Sequence, residues 1–327
     1  MDIEKVLVTG ASGKIGRRLV PALVAAGYRV RAVEFHTPVA GKGVEVARGS
    51  VSDRAFVKRA IADVDAVIHL ASAKEDRDGV IDVSMRGTFN LLDESRQSAR
   101  VKQFLLAGGD CAVGIFYYPQ PRPIDETHPL TAYPGYYALS KALEETMCNQ
   151  HVIQYKLPVT ILRISWVHDE DDLLAYMTLA EPNFGGPAWK NLAKSAEQKS
   201  YFEKGRDGVG CLRHPGGSAY KRHIVHVNDV VHAFLRALGN PRALGETFHV
   251  AAPSAFSYDA LARYTAEKLK LPVVDFELDG FYDFEINITK ARAALGYEPG
   301  YDVFRMVDEA MEFRRSGGKR TAGGRRG

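Results

Sequence analysis

The sequence predicts an α/β protein, a doubly wound parallel sheet carrying a smaller C-terminal substrate lobe. Three observations predict it. The apolar run Lys5-Val6-Leu7-Val8 breaks into a glycine-rich turn, Thr9-Gly10-Ala11-Ser12-Gly13-Lys14-Ile15-Gly16, that opens into a helical pattern. Short apolar segments then alternate with helical ones through the first half, as strands buried on both faces of a parallel sheet do. After about residue 165 this regularity fades.

Strand patterns fall at 3–9, 28–34, 44–47, 66–71, 103–107 and 159–164. Helical patterns lie between most of them, at 14–26, 53–62, 79–99 and 136–155. Pro21 lies inside the first helix, where its missing N–H predicts a local kink. The stretch 181–220, rich in Gly, Pro, Lys and Ser, reads as loops with at most short elements. Regular patterns resume with a strand at 223–227, a helix at 228–238, a strand at 247–251, and helices at 257–269 and 303–314. No internal repeat is present. Residues 1–165, with segments of 223–252 returning to them, read as a dinucleotide-binding domain. Residues 166–222 and 253–315 read as the substrate-binding lobe, with the cleft at the carboxyl ends of the strands.

Composition bounds the function. Apolar residues make up 46% of the 327 and charged residues 25%, the balance of a soluble globular protein. No stretch approaches the ~18 apolar residues of a membrane span, and the N-terminus, with Asp2 and Glu4, lacks a signal-peptide charge pattern. Three widely spaced cysteines, Cys111, Cys148 and Cys211, predict a reducing, cytoplasmic setting with no disulfide framework and no thiolate metal site. The net charge of +3 owes four bases to the glycine-rich tail 316–327, read as a disordered end. The nearly neutral body has no electrostatic footprint for nucleic acid.

The turn at 9–16 is where a parallel sheet offers backbone N–H groups and a helix N-terminus to a pyrophosphate. Gly10 allows the tight turn, Gly13 the close approach of phosphate, and Gly16 the packing of helix on strand. Glu34, eighteen residues beyond Gly16, ends the second strand pattern. A carboxylate there accepts both hydroxyls of an adenosine ribose and repels a 2′-phosphate, which favours NAD over NADP. Arg31 and His36 flank it and soften that preference. Tyr137 and Lys141 stand four apart on a helical pattern, hence on one face. A cation beside a phenol lowers its pKa, so such a tyrosine can take a proton from a hydroxyl while hydride leaves the same carbon.

Together these residues resemble the extended short-chain dehydrogenase/reductases, the NAD-dependent epimerase/dehydratase family. The resemblance runs through Thr9–Gly16, Glu34, His69-Leu70-Ala71, Gly87-Thr88, Tyr137 with Lys141, Leu162-Arg163, Arg222–Val230 and Ala294–Pro299. It implies a Rossmann fold, a tyrosine acid/base at Tyr137, and a lysine, Lys141, that also holds the nicotinamide ribose. It implies cofactor contacts from Gly10, Ser12, Gly13, Lys14, Ile15, Gly16, Glu34, Ser50, Val51, Leu70, Ala71, Ser72, Tyr137, Lys141 and Ile164. It also implies homodimers formed through the helices at 79–99 and 136–155.

The departures from the pattern concern the substrate. Where the family has Ser or Thr after the fifth strand, this chain reads Ala107-Gly108-Gly109-Asp110-Cys111, so Asp110, Cys111 or a water over Gly109 takes that part. Ser140 points elsewhere on its helix. Trp166 stands where nucleotide-sugar members have Asn. Arg222 matches their first phosphate-binding arginine, and no second one precedes Asn287, where 275–285 is acidic and aromatic. The stretch 110–126 is locally similar to uronate dehydrogenases, without their substrate residues. Trp166 and His168, beyond the sixth strand, belong either to substrate contact or to packing. His223 and His226 point to opposite faces, and Asp169–Asp172 reads as a solvated acidic loop, so no metal site is expected.

The reading that results is an NAD-dependent oxidoreductase transferring hydride at a carbohydrate-like hydroxyl or carbonyl carbon, with dehydrogenase and epimerase or dehydratase left open. Its alternative is a dinucleotide-binding sensor with a degraded site, which the missing serine supports and the intact Tyr–Lys pair opposes.

Overall fold

The structure, a computed structural model, describes residues 1–39, 41–180 and 186–318. The tail expected to be disordered lies outside the described residues from 319 onward.

Seven strands form one sheet: β1 (Lys5–Thr9), β2 (Arg29–Glu34), β3 (Val44–Arg48), β4 (Ala66–His69), β5 (Gln103–Gly109), β6 (Val159–Ile164) and β7 (Glu246–Val250). Their order is β7-β6-β5-β4-β1-β2-β3, and every neighbouring pair is parallel. β1, β4, β5 and β6 are buried along their whole length, which is why they read as unbroken apolar runs. The order reverses between β1 and β4, where Thr9 stands opposite His69. Crossovers leave the sheet in opposite directions at that point and open a crevice at the carboxyl ends.

Helices cover both faces. On one, α1 (Gly16–Ala25) and Val227–Ala237 bury Leu19, Leu23, Val230 and Phe234 against Val6, Val8 and Leu105. On the other, α2 (Arg54–Ile61), α3 (Thr88–Gln97) and α4 (Tyr136–Tyr155) bury Phe56, Leu92 and Cys148 against Leu7, Phe104 and Leu106. A separate core gathers Leu174, Met177, Trp189, Leu212, Tyr258, Phe276 and Met306.

Several boundaries differ from the sequence reading. α1 starts at Gly16 because the glycines of the turn hold 10–15 outside the helix, and it runs through Pro21 to Ala25. β4 stops at His69, since the N–H groups of Leu70 and Ala71 donate to Thr9 Oγ1 at 3.2 Å. The pattern at 79–99 divides into a π-helical stretch, Val80–Gly87, and α3. The expected strand at 223–227 resolves into Lys221–Arg222 and Ile224–His226, and the helix begins at Val227. Within 181–220, Trp189–Leu192 and Ala196–Glu203 are helical, the latter started by a Ser195–Gln198 capping box. Val209–Arg213 is a strand that pairs in parallel with Val273–Glu277.

Candidate active site

The carboxyl ends of the strands place the predicted residues along one edge of the sheet. Gly10 follows β1 with φ +65°, and a Cβ there would lie 2.7 Å from the Ala71 nitrogen, so the turn touches the end of β4. A Cβ on Gly16 would lie 2.4 Å from the Gly10 carbonyl oxygen, so only glycine lets α1 start this close to β1. No side chain caps α1. The N–H groups of Ser12, Lys14 and Ile15 donate to no protein atom among the described residues. That leaves an uncapped helix start with free donors, the cradle a pyrophosphate needs.

Beneath the turn, Thr9 Oγ1 contacts His69 Nδ1 at 2.7 Å, and His69 Nε2 contacts Thr88 Oγ1 at 2.9 Å. Thr9 Oγ1 already accepts two backbone N–H groups, so its own proton goes to Nδ1. His69 is therefore the neutral tautomer with hydrogen on Nε2. Burial, with Lys141 nearby, pushes its pKa down to about 3.

Glu34 ends β2 almost buried, accepting from the Val39 N–H at 2.9 Å and pairing with Arg48 at 3.0 Å. Arg31 does not flank it: consecutive strand residues face opposite ways, and Arg31 pairs with Glu45 and Asp63 on the other side. His36 packs on Phe35 in the exposed loop that follows. Ser50 and Val51 come just after β3, with the Val51 carbonyl held by Asn90 at 3.0 Å. Leu70, Ala71 and Ser72 follow β4, and Ile164 ends β6 opposite Gly109.

Tyr137 lies half-buried in the first turn of α4, with its ring centroid 5.6 Å from Lys141 Nζ. The helix start is capped from a distance by Glu75, whose carboxylate accepts the N–H groups of Tyr136 at 2.9 Å and Tyr137 at 3.3 Å. Lys141 Nζ donates to the Ala107 carbonyl and to Glu144, each at 2.9 Å. This changes one expectation. The lysine's charge is absorbed by Glu144, and the Tyr137 phenol stands well above its usual pKa through burial and then the neighbouring Cys111, Glu144 and Asp110. Here the phenol holds its proton. Ser140 is buried and donates to the Tyr137 carbonyl at 2.8 Å.

Asp110 and Cys111 open a 3₁₀ turn directly after β5, and both are buried. A Cβ on Gly109 would sit 3.0 Å from Cys111 Sγ and 3.4 Å from Lys141 Cγ, so Gly109 faces this cluster. Asp110 Oδ2 lies 2.8 Å from Ser165 Oγ. Burial pushes the Cys111 thiol and the Tyr133 phenol up, the latter also through Cys111, Asp110 and Tyr137.

The remaining candidates separate. Trp166 packs edge-on against His168 at 4.4 Å and Tyr176 at 4.6 Å, and His168 is buried. Arg222 is half-buried among Tyr220, Phe116 and Phe284, and donates to the carbonyls of Lys221 and Tyr282. Among the described residues it has no carboxylate partner. Phe116 also meets Tyr133 at 5.3 Å and Phe281 at 5.2 Å, so an aromatic wall runs from the α4 start toward Arg222. The Asp169–Asp172 run is not a solvated loop. Asp169 is 2% exposed and pairs with Arg17 and Arg18, Asp172 with Lys14 at 2.6 Å, and Asp171 with Arg314 at 2.6 Å. Its charges are taken by Lys14 of the glycine turn, by Arg17 and Arg18 of α1 and by Arg314 of the last helix.

Comparison with known proteins places this geometry. The profile of the NAD dependent epimerase/dehydratase family matches residues 6–251. A short-chain dehydrogenase/reductase superfamily protein from Agrobacterium tumefaciens, crystallised with bound NAD, superposes with a TM-score of 0.81 at 29% identity, over 96% of this chain and 98% of that one. Sterol demethylase protein B of Methylococcus capsulatus is 38% identical over 117 residues, 33% of this chain. Uronate dehydrogenase of Pseudomonas syringae is 26% identical over 165 residues, 49% of this chain. The matches span 35% and 58% of those two relatives' own length.

Proposed function

The chain belongs to the NAD dependent epimerase/dehydratase family, and on that premise we propose that it transfers hydride at a secondary alcohol or ketone carbon of a small carbohydrate-like substrate, with Tyr137 as acid/base. The cofactor is NAD. When bound, its nicotinamide supplies the hydride acceptor or donor. The residues proposed to hold it are the free N–H groups of the 10–16 turn for the pyrophosphate and Glu34 for the adenosine ribose. Lys141 completes the set, having one N–H left beyond Ala107 and Glu144.

One observation carries the reading. The phenol of Tyr137 and the ammonium of Lys141 share one face of the first two turns of α4, at the same edge of the sheet as the glycine turn. Tyr137 Oη holds the proton, gives it to the substrate oxygen in reduction and takes it in oxidation. Glu144 fixes the lysine and Glu75 fixes the helix start. The aromatic wall supplies an apolar surface for the rest of the substrate, with Arg222 at its far end. A sensor has no use for this proton donor, so the catalytic reading is preferred. Residues 166–222 with 253–315 are read as the substrate lobe, which their separate core supports.

Tyr137→Phe tests the proposal across sugars, sugar acids and nucleotide sugars, read by reduced-nicotinamide absorbance. Turnover falls by about 10²–10⁴-fold while calorimetric NAD affinity is kept. Unchanged turnover refutes it. Net accumulation of NADH marks a dehydrogenase, and product without it an epimerase or dehydratase.

A homodimer through the 80–97 segment and α4 is part of the same proposal. Ile81, Phe89, Leu139, Leu143 and Ile153 are large apolar side chains 41–60% exposed on those two elements. Among the described residues no helix is long and apolar enough to cross a membrane. The three buried free thiols fit a reducing cytoplasm.

A further inference from the structure

We propose that Asp110 is a neutral, proton-carrying positioning residue that sets how readily Tyr137 gives up its proton. The inference rests on the catalytic reading of Tyr137 and deepens it.

The hydrogen-bond geometry carries the argument. Asp110 Oδ2 lies 2.8 Å from Ser165 Oγ, and Ser165 Oγ lies 2.9 Å from the carbonyl oxygen of His223. Ser165 owns one hydroxyl proton. The His223 carbonyl can only accept, so its bond consumes that proton. The contact between Ser165 and Asp110 then needs a proton from the carboxyl. The chain runs Asp110 Oδ2–H to Ser165 Oγ–H to the His223 carbonyl, with every group satisfied. An ionised Asp110 would take the Ser165 proton and strip the buried carbonyl of its donor.

The surroundings agree. Among the described residues no Lys, Arg or His forms an ion pair with Asp110. The titratable groups gathered around the turn are Cys111 beside it, Tyr137, Lys141 and Glu144 on α4, Tyr133 in the preceding loop, and His223 beyond Ser165. Lys141 is the one cation, and it is committed to Glu144. His223 is neutral, since burial pushes its pKa down to about 4. With no cation to hold a carboxylate, burial pushes Asp110 up to about 7. Removing its proton adds a negative charge beside Tyr137 and makes the phenolate costlier. Alcohol oxidation, which needs that phenolate to form, slows as Asp110 ionises.

Infrared difference spectra of the full chain against Asp110→Asn test this without turnover. The wild type shows a protonated-carboxyl band that vanishes with a midpoint near 7, and Asp110→Asn lacks it. In parallel, kcat/KM for oxidation falls about tenfold across that midpoint in the wild type, and Asp110→Asn loses the inflection. If Asp110→Asn does not fold, Ser165→Ala keeps the carboxyl and shifts the band's midpoint. A wild type with no such band, an inflection unchanged by Asp110→Asn, or a midpoint unmoved by Ser165→Ala overturns the assignment. None of these outcomes touches the Tyr137→Phe test, so the two readings fail separately.

Discussion

Acid should weaken this protein through His69, by an amount the hydrogen bonds fix. His69 is wedged between Thr9 and Thr88 as the Nε2–H tautomer. A proton on Nδ1 would meet the Thr9 hydroxyl proton, and Thr9 cannot turn because its oxygen holds the Leu70 and Ala71 N–H groups. Folded His69 titrates near 3, while an unfolded histidine titrates near 6.5. Between those values the unfolded chain binds the proton and the folded one does not. Stability from this group is complete above pH ~6.5 and is lost as pH falls toward ~3. At pH ~5 the loss is ~2 kcal/mol, from 1.5 pK units at 1.36 kcal/mol each. Urea midpoints at pH ~7 and ~5 measure it in the wild type and in His69→Asn, which retains an acceptor toward Thr9. The variant is less stable at neutral pH but loses ~2 kcal/mol less on acidification. His223, His226 and His249 contribute slopes of the same sign to both proteins and cancel. Equal acid losses in the two proteins would refute the tautomer and the argument built on it.

Three further outcomes are expected. Gly10→Ala, forced into φ +65° with its Cβ 2.7 Å from the Ala71 nitrogen, costs at least ~1–2 kcal/mol and weakens NAD binding at least tenfold by calorimetry. Arg163→Met strands the Glu145 carboxylate, 2% exposed and bound by Arg163 at 2.7 Å, and costs ~3–5 kcal/mol in denaturant unfolding. Glu34→Ala frees Arg48 for a 2′-phosphate and raises the NADP-to-NAD ratio of affinities about ten- to a hundredfold.

The parts of this protein legible in its sequence are those set by neighbours along the chain. The apolar runs of β1, β4, β5 and β6 announce a sheet covered on both faces, and Gly10, Gly13 and Gly16 announce the turn. Tyr137 and Lys141 are four apart, so helical geometry alone brings them together. What escaped depends on contacts between distant segments. Glu75 caps a helix 61 residues away, and Ser165 reaches Asp110 across 55. Neither has a local pattern. The acidic run at 169–172 looks solvated until Lys14 of the glycine turn and the arginines of α1 arrive from more than 150 residues upstream. Val273–Glu277 carries two acids in five residues, but its alternation of exposed and buried positions is that of a strand with one wet face. The expected lowering of the Tyr137 pKa failed because burial, with Cys111 and Asp110 brought up from the end of β5, outweighs a lysine already paired to Glu144 three residues on.

The ion pairs between α1 and the 169–172 segment tie two motions together. Lys14 belongs to the glycine turn, Arg17 and Arg18 to the helix that follows it, and their partners sit just past β6, where the chain leaves the sheet. Any swing of that segment away from the crevice pulls on the helix that begins at Gly16 or breaks contacts with a carboxylate 2% exposed. The start of the helix behind the glycine turn and the chain leaving β6 are therefore held at a fixed separation by the same few charges.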